Sequence, residues 1–319
     1  MNIIFMGTPD FSVPCLKALI DSGETVSAVF TQPDKARGRR GNKLMPSPVK
    51  EVALQYDIPV YTPASLKKGE DAELSWKVIS DIAPDMIVVV AYGKILPTRI
   101  LEAPKYHCIN IHASLLPRYR GAAPIQWCIL NGEKVTGVTS MLMADGVDTG
   151  DMLLKEETEI GVNETYSELT ERLSEMGARV LLDTISAVKN GTLQPIPQDE
   201  SLSCQSPMIT KDMCPIDFSK TAKEVHCKVC GLSASPCAVC YINGRRLKIY
   251  HSELSGITSD KPCGTVVKDN ELTIVCGDGK CVTFTEVQTD GGKRMKTSDF
   301  LRGNPVKAGT VVTSEETQN

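Results

Sequence analysis

The chain has 319 residues, 41% of them hydrophobic and 23% charged, with a formal net charge of −4, the proportions of an ordinary globular protein of about two domains. That length buries a core without disulfide or metal staples, and the charge balance sets up no global basic field of the kind a dedicated nucleic-acid binder carries. The longest apolar run, residues 86–92, falls far short of the roughly 20 residues that a membrane span needs. No basic segment precedes the short apolar stretch 3–6, as a secretory signal would require. The expectation is a cytoplasmic chain with no membrane partner. Its twelve cysteines then sit in a reducing compartment, where disulfides are rare, and read as small buried hydrophobes.

In chain order, residues 2–6 predict a short apolar strand, 11–21 a helix and 26–30 a second strand. Ser47-Pro48 predicts a helix start, a capping hydroxyl followed by proline at the first helical position. Residues 85–90 are a near-continuous apolar run, as in a parallel strand covered on both faces. Residues 107–112 alternate, which sets Cys108, Asn110 and His112 on one face of a strand. Strands at 137–143 and 151–157 follow. A helix over 164–188 then carries Leu169, Leu173, Met176, Val180 and Leu181 at helical spacing. This order implies a Rossmann-like, doubly wound, mostly parallel sheet, whose ligands lie beyond the carboxyl ends of its strands.

Asn190-Gly191 opens a stretch rich in Pro, Gln and Ser that reads as a linker. Beyond it come short strands at 238–242, 247–251, 264–267, 272–275 and 281–287, the first two joined by the hairpin signal Asn243-Gly244. Five strands so spaced suggest a small β-barrel, of which the five-stranded oligonucleotide-binding type is one candidate. The resulting division is 1–189, a linker at 190–208, and 209–319, with the polar end 313–319 expected to fray.

Charge is unevenly spread. Residues 1–205 are acidic overall and 206–319 slightly basic, but the sharpest feature is local. Lys35, Arg37, Arg39, Arg40, Lys43 and Lys50 stand against the single acid Asp34, and Gly38 and Gly41 mark the run as a loop. The first strand ends in Gly7-Thr8-Pro9-Asp10 without the glycine fingerprint of a dinucleotide site, and no phosphate-binding loop occurs elsewhere. Both absences count against oxidoreductases and kinases.

Three clusters could carry chemistry. Asn110 and His112, at a strand's carboxyl end, could stabilise an oxyanion and move a proton, though such a pair is more often structural. Asp145, Asp148 and Asp151 share a glycine-punctuated turn. They could be turn formers, a cation site, although the spacing fits no calcium loop, or the source of a carboxylate facing His112; spacing alone does not choose. Residues 114–124 form a loop where open α/β sheets bind ligands, and its Arg118 and Arg120 either meet an anion or solvate a surface.

Residues 6–11 (Met-Gly-Thr-Pro-Asp-Phe), 31–34 (Thr-Gln-Pro-Asp), 43–50 (Lys-Leu-Met-Pro-Ser-Pro-Val-Lys), 110–118 (Asn-Ile-His-Ala-Ser-Leu-Leu-Pro-Arg) and 148–152 (Asp-Thr-Gly-Asp-Met) together resemble the methionyl-tRNA formyltransferase family, over nearly the whole chain. The resemblance implies transfer of a formyl group from 10-formyltetrahydrofolate to the amine of methionine on initiator tRNA. It implies Asn110, His112 and Asp148 as catalytic residues and a folate site that includes Ser114, Leu115, Leu116 and Pro117. Lys35, Arg37, Arg39, Arg40 and Lys43 match an inserted loop that reaches the tRNA acceptor stem. No metal is implied, and nothing points to more than a monomer.

The chemistry suits the residue types. The substrate's amine is the nucleophile, so no Ser or Cys is needed. Asn110 would donate to the formyl oxygen as charge develops, His112 would donate a second bond or act as acid, and Asp148 would keep His112 protonated and carry the amine's proton. The rival readings are a formyltransferase for a small amine, such as a nucleotide sugar or glycinamide ribonucleotide, on which the basic loop and barrel would have no purpose, and a formyl-folate hydrolase, which would release formate without an acceptor. One feature departs from the family. Cys227-x-x-Cys230 and Cys237-x-x-Cys240 have zinc-ligand spacing, where the family has a helix ending near Gly231-Leu232 and Pro236 without cysteine ligands. Cys230 and Pro215 stand where arginines are usual. On spacing alone these cysteines suggest a zinc-ribbon module; the family match argues for no metal.

Overall fold

Strand β6 (Met86–Val90) is buried at every residue, because helices cover both faces of the sheet it centres. The computed structural model describes residues 1–37 and 43–315. The chain runs β1 (Asn2–Gly7), α1 (Val13–Asp21), β2 (Thr25–Phe30), β3 (Lys35–Arg37), β4 (Lys43–Met45), α2 (Pro48–Gln55), β5 (Val60–Tyr61), α3 (Glu70–Ile82), β6, α4 (Thr98–Leu101), β7 (Cys108–His112), α5 (Pro124–Leu130), β8 (Val135–Leu142), β9 (Met152–Glu159) and α6 (Tyr166–Lys189). It continues through α7 (Ala222–Leu232), β10 (Ala238–Ile242), β11 (Arg245–Thr258), β12 (Thr273–Val275), β13 (Lys280–Thr289), β14 (Met295–Lys296), α8 (Thr297–Gly303) and β15 (Val312–Thr313). These elements divide into two compact units. The first comprises Met1–Gly121, Gly137–Thr158 and Thr170–Gln205, and the second Ala122–Thr136, Glu159–Leu169 and Ser206 onward.

In the first unit the sheet order is β5-β2-β1-β6-β7-β8-β9. Its strands are parallel from β5 to β7, and β8 returns antiparallel to β7. The Rossmann-like, mostly parallel sheet expected from the sequence is therefore present. Helix α2 begins as Ser47-Pro48 predicts, with the Ser47 hydroxyl accepting from Lys50 N at 3.1 Å. Helix α6 packs close on the sheet: a Cβ added at Gly177 would come 3.2 Å from Ile111 Cγ2 and 3.6 Å from Cys15 Sγ. Residues 190–205, compositionally a linker, are hydrogen-bonded along this unit. Ile196 pairs with Met152, and Gln205 bridges Arg120.

The second unit holds the antiparallel sheet β12-β13-β11-β10-β15, with β14 on β13. Residues 264–267, expected as a strand, instead make isolated bridges, Val266 to Ile274 on one side and Thr265 to Val311 on the other. Those bridges join the β12 edge to the β15 edge and close the sheet into a barrel, which removes its open edges. Ile216, Phe218, Leu247, Val266, Ile274 and Phe284 fill it. Helix α7 starts in a capping box, Thr221 with Glu224, a sequence signature that periodicity alone did not reveal. Strand β11 is far longer than expected, accommodated by shifts in its register with β13.

All twelve cysteines are free, and all but Cys204 and Cys263 are buried. Cys227 and Cys230 lie on α7 and Cys240 on β10. The Cys237 thiol is directed to Ile249 O at 3.1 Å. Among the described residues no three His, Cys, Asp or Glu side chains gather into a metal-holding set. No helix among them is long and apolar enough to cross a membrane. Of the end 313–319, Thr313 pairs with Tyr241, while 316–319 lie outside the described residues.

Candidate active site

Asn110 and His112 project from the carboxyl end of β7 on one face, as the period of two requires. Asp148 reaches them from the turn between β8 and β9. Its Oδ2 lies 3.5 Å from His112 Nδ1, and its Oδ1 accepts from Asn110 Nδ2 at 3.4 Å. Gly121 N donates to Oδ2 at 2.9 Å. The carboxylate is thus gripped by three partners that are all donors when the imidazole is protonated. On the ring's far side, Nε2 lies 2.9 Å from Tyr119 O. A carbonyl only accepts, so Nε2 carries the hydrogen, and Nδ1 is left to face the carboxylate.

His112 is 6% exposed and Asp148 13%, whereas Asn110 is half-buried. Asn110 and Asp148 are thus both partly open at the strand ends, while the ring of His112 is buried. Both ring nitrogens already have protein partners. A proton passed by His112 to a substrate requires one of those contacts to be exchanged, whereas Asn110 has a second N–H and Asp148 further lone pairs to offer.

The loop after β7 is held from below. The Thr139 hydroxyl donates to Ser114 O at 2.7 Å and accepts from Leu116 N at 3.2 Å. Lys155 Nζ donates to Leu116 O, and Ser114 Oγ donates to Arg118 O at 2.7 Å. Leu116 packs with Met141 and Met152. Ser114 and Leu116 thus serve the loop's own shape, while Leu115 and Pro117 are the partly exposed members. Of the arginines left open between anion site and solvated surface, Arg118 is exposed over the Tyr119 ring, 5.2 Å from its centroid. Arg120 meets an anion inside the chain: it is 3% exposed and binds both oxygens of Glu200, at 2.9 and 2.8 Å.

The flanks of the basic loop pair as β3 with β4, Lys35 opposite Met45 and Arg37 opposite Lys43. Arg39 and Arg40 fall outside the described residues. Lys50 is bound by Asp34 at 2.8 Å, so it is not part of an open basic surface.

This sheet with its strand-end constellation has known counterparts. The family described as Formyl transferase matches residues 1–185, and its C-terminal domain matches residues 208–305. Together they define the class as formyl transferases. A methionyl-tRNA formyltransferase of Pelobacter propionicus is 45% identical over 99% of this chain and 98% of its own length. That of Clostridium novyi is 47% identical over 98% of this chain and 100% of its own. The chain belongs to the methionyl-tRNA formyltransferase family. Among solved structures, HypX from Aquifex aeolicus in complex with tetrahydrofolic acid superposes with a TM-score of 0.63 at 17% identity, over 94% of this chain but 46% of that one. An N-formyltransferase from Helicobacter canadensis, in complex with folinic acid and dTDP-3-aminofucose, gives 0.63 at 20% identity over 88% and 98%. At such identities the likeness speaks for the fold alone.

Proposed function

We propose that the chain transfers the formyl group of 10-formyltetrahydrofolate to the amino group of methionine on initiator tRNA, with Asn110, His112 and Asp148 as the catalytic residues. The observation that carries this reading is the convergence of those three side chains at one strand end, in a chain similar to methionyl-tRNA formyltransferases over almost its full length. Asn110 donates to the formyl oxygen as negative charge develops there. Asp148 takes the proton that the attacking amine loses, directly or through water, and that proton passes to the folate N10 as its bond to the formyl carbon breaks and tetrahydrofolate leaves. His112, held by Tyr119 O and Asp148, keeps the carboxylate aimed.

The loop 114–117 borders the folate, with Leu115 and Pro117 offering the open apolar surface. Lys35, Arg37, Arg39, Arg40 and Lys43 contact the acceptor stem through phosphates, a salt-sensitive interaction. Residues 1–189 carry out the transfer, 190–208 connect, and the barrel from 209 contributes further tRNA contacts. The protein works as a cytoplasmic monomer without a metal.

The test supplies 10-formyltetrahydrofolate with methionylated initiator tRNA, methionylated elongator tRNA or no tRNA. Formyl-methionine on the initiator alone is the expected result. Formate released without an acceptor would make the chain a hydrolase and remove the tRNA assignment of the basic loop.

A further inference from the structure

Asp148 has a φ of +54°, in the left-handed region that residues other than glycine adopt at a cost. The turn around it is held by one side chain from residues 190–205, the stretch that composition marks as a connector. Gln198 Nε2 donates to Asp148 O at 2.8 Å and to Gly150 O at 2.7 Å, using both of its hydrogens. Its Oε1 accepts from Arg120 Nε at 2.9 Å. Arg120 is in turn fixed by the two-point pair with Glu200. That guanidinium sets the amide's orientation: a flipped Gln198 would point its NH2 at a cation and its oxygen at two carbonyl oxygens. The residues on either side of Arg120 touch the catalytic groups directly, Tyr119 O on His112 and Gly121 N on Asp148.

We infer that Gln198 is a positioning residue for formyl transfer, locking the turn that aims Asp148 at Asn110 and His112, with the Arg120–Glu200 pair locking Gln198. The inference rests on the catalytic reading of Asp148 above. A carboxylate displaced by about 1 Å costs a rate factor of up to about a hundred, without loss of substrate binding.

The experiment compares the full-length wild type with Gln198→Met, Gln198→Glu, Asp148→Asn and the Gln198→Met/Asp148→Asn double variant. It measures kcat, the KM for each substrate, and Tm. Gln198→Met is expected to lower kcat about tenfold or more with both KM values within about threefold. Gln198→Glu, which keeps an oxygen for Arg120 but sets another against the two carbonyls, is expected to lower kcat at least as much. In the Asp148→Asn background the loss from Gln198→Met should shrink below about threefold, because no carboxylate remains to be aimed. Wild-type kcat in Gln198→Met overturns the inference, as does an undiminished loss in the Asp148→Asn background. Should Gln198→Met fail to fold, Gln198→Glu carries the same cycle; failure of both assigns Gln198 to stability alone and also overturns it. Asp148→Asn at the wild-type rate would instead sink the catalytic reading itself, a separate and recognisable outcome.

Discussion

Asp148 accepts from Gly121 N and Asn110 Nδ2 and faces the ring of His112, so an amide of the same size can occupy its place while losing the charge. Asp148→Asn should fold with a Tm within a few degrees of wild type and lose about a hundredfold or more in kcat, the range of general acid–base contributions. Single-turnover assays on the purified variant decide it, and a normal rate would remove Asp148 from the chemistry. The cysteines behave oppositely to the catalytic groups, because burial pushes the thiols of Cys230 and Cys240 up to about 12 and that of Cys237 to about 11. A thiol so disfavoured as thiolate alkylates slowly. Alkylation of the native protein, read by mass spectrometry, should label exposed Cys263 first and leave those three unlabelled. Dialysis against a chelator should leave Tm unchanged; a fall would revive the zinc reading of the paired Cys-x-x-Cys spacings.

At the scale of elements, the turn between β8 and β9 depends on glycine for space. A Cβ at Gly150 would lie 1.8 Å from Leu142 O, a backbone atom that cannot step aside without parting the strands. Gly150→Ala is expected to destabilise the fold by about 2 kcal/mol and to depress activity through Asp148, as urea denaturation and kcat together would show. The opening of α2 was legible in two residues, Ser47-Pro48, because capping is a local event. Ser47→Ala should cost about 1 kcal/mol. Helix α7 was equally local in its Thr221–Glu224 box, yet its apolar positions are spread around the helix rather than in a clean stripe, since eight of its eleven residues are buried. A helix surrounded on most sides has little periodicity to read.

For the whole molecule, the first unit ties its chain start to its longest helix through Glu24, which binds both the N-terminal ammonium and Lys189. Burial alone would raise this carboxyl, but hydrogen bonds and charge from Lys189 and the N-terminus outweigh it and hold Glu24 below its ordinary 4.5. A carboxylate depressed on folding contributes stability that is complete above its unfolded pKa and is lost as pH falls through the folded one. Thermal unfolding of wild type and Glu24→Gln should therefore differ by a constant amount above its ordinary 4.5 and converge as pH falls from there through the lowered folded value. Divergence that persisted in acid would mean that Glu24 acts through packing instead.

The strands β1, β2, β6, β7, β8 and β9, the sharing of one face by Asn110 and His112, and four of the five expected barrel strands were decided within short stretches of sequence; residues 264–267 were not, since they make only isolated bridges. Helical and strand periods and turn chemistry act over a few residues, so the chain carries them openly. That Asp148 meets His112 followed at first only from resemblance, because spacing could not choose among three aspartates in one turn. Gln198 and Arg120 were not legible in those roles at all: Gln198 lies 50 residues from Asp148 and 78 from Arg120, and its segment has the composition of a connector. Closure of the barrel through single bridges at Thr265 and Val266 was hidden for the same reason. Hydrogen bonds between distant segments take their partners from whatever the assembled sheets bring within about 3 Å, and that proximity exists only once the tertiary structure has formed.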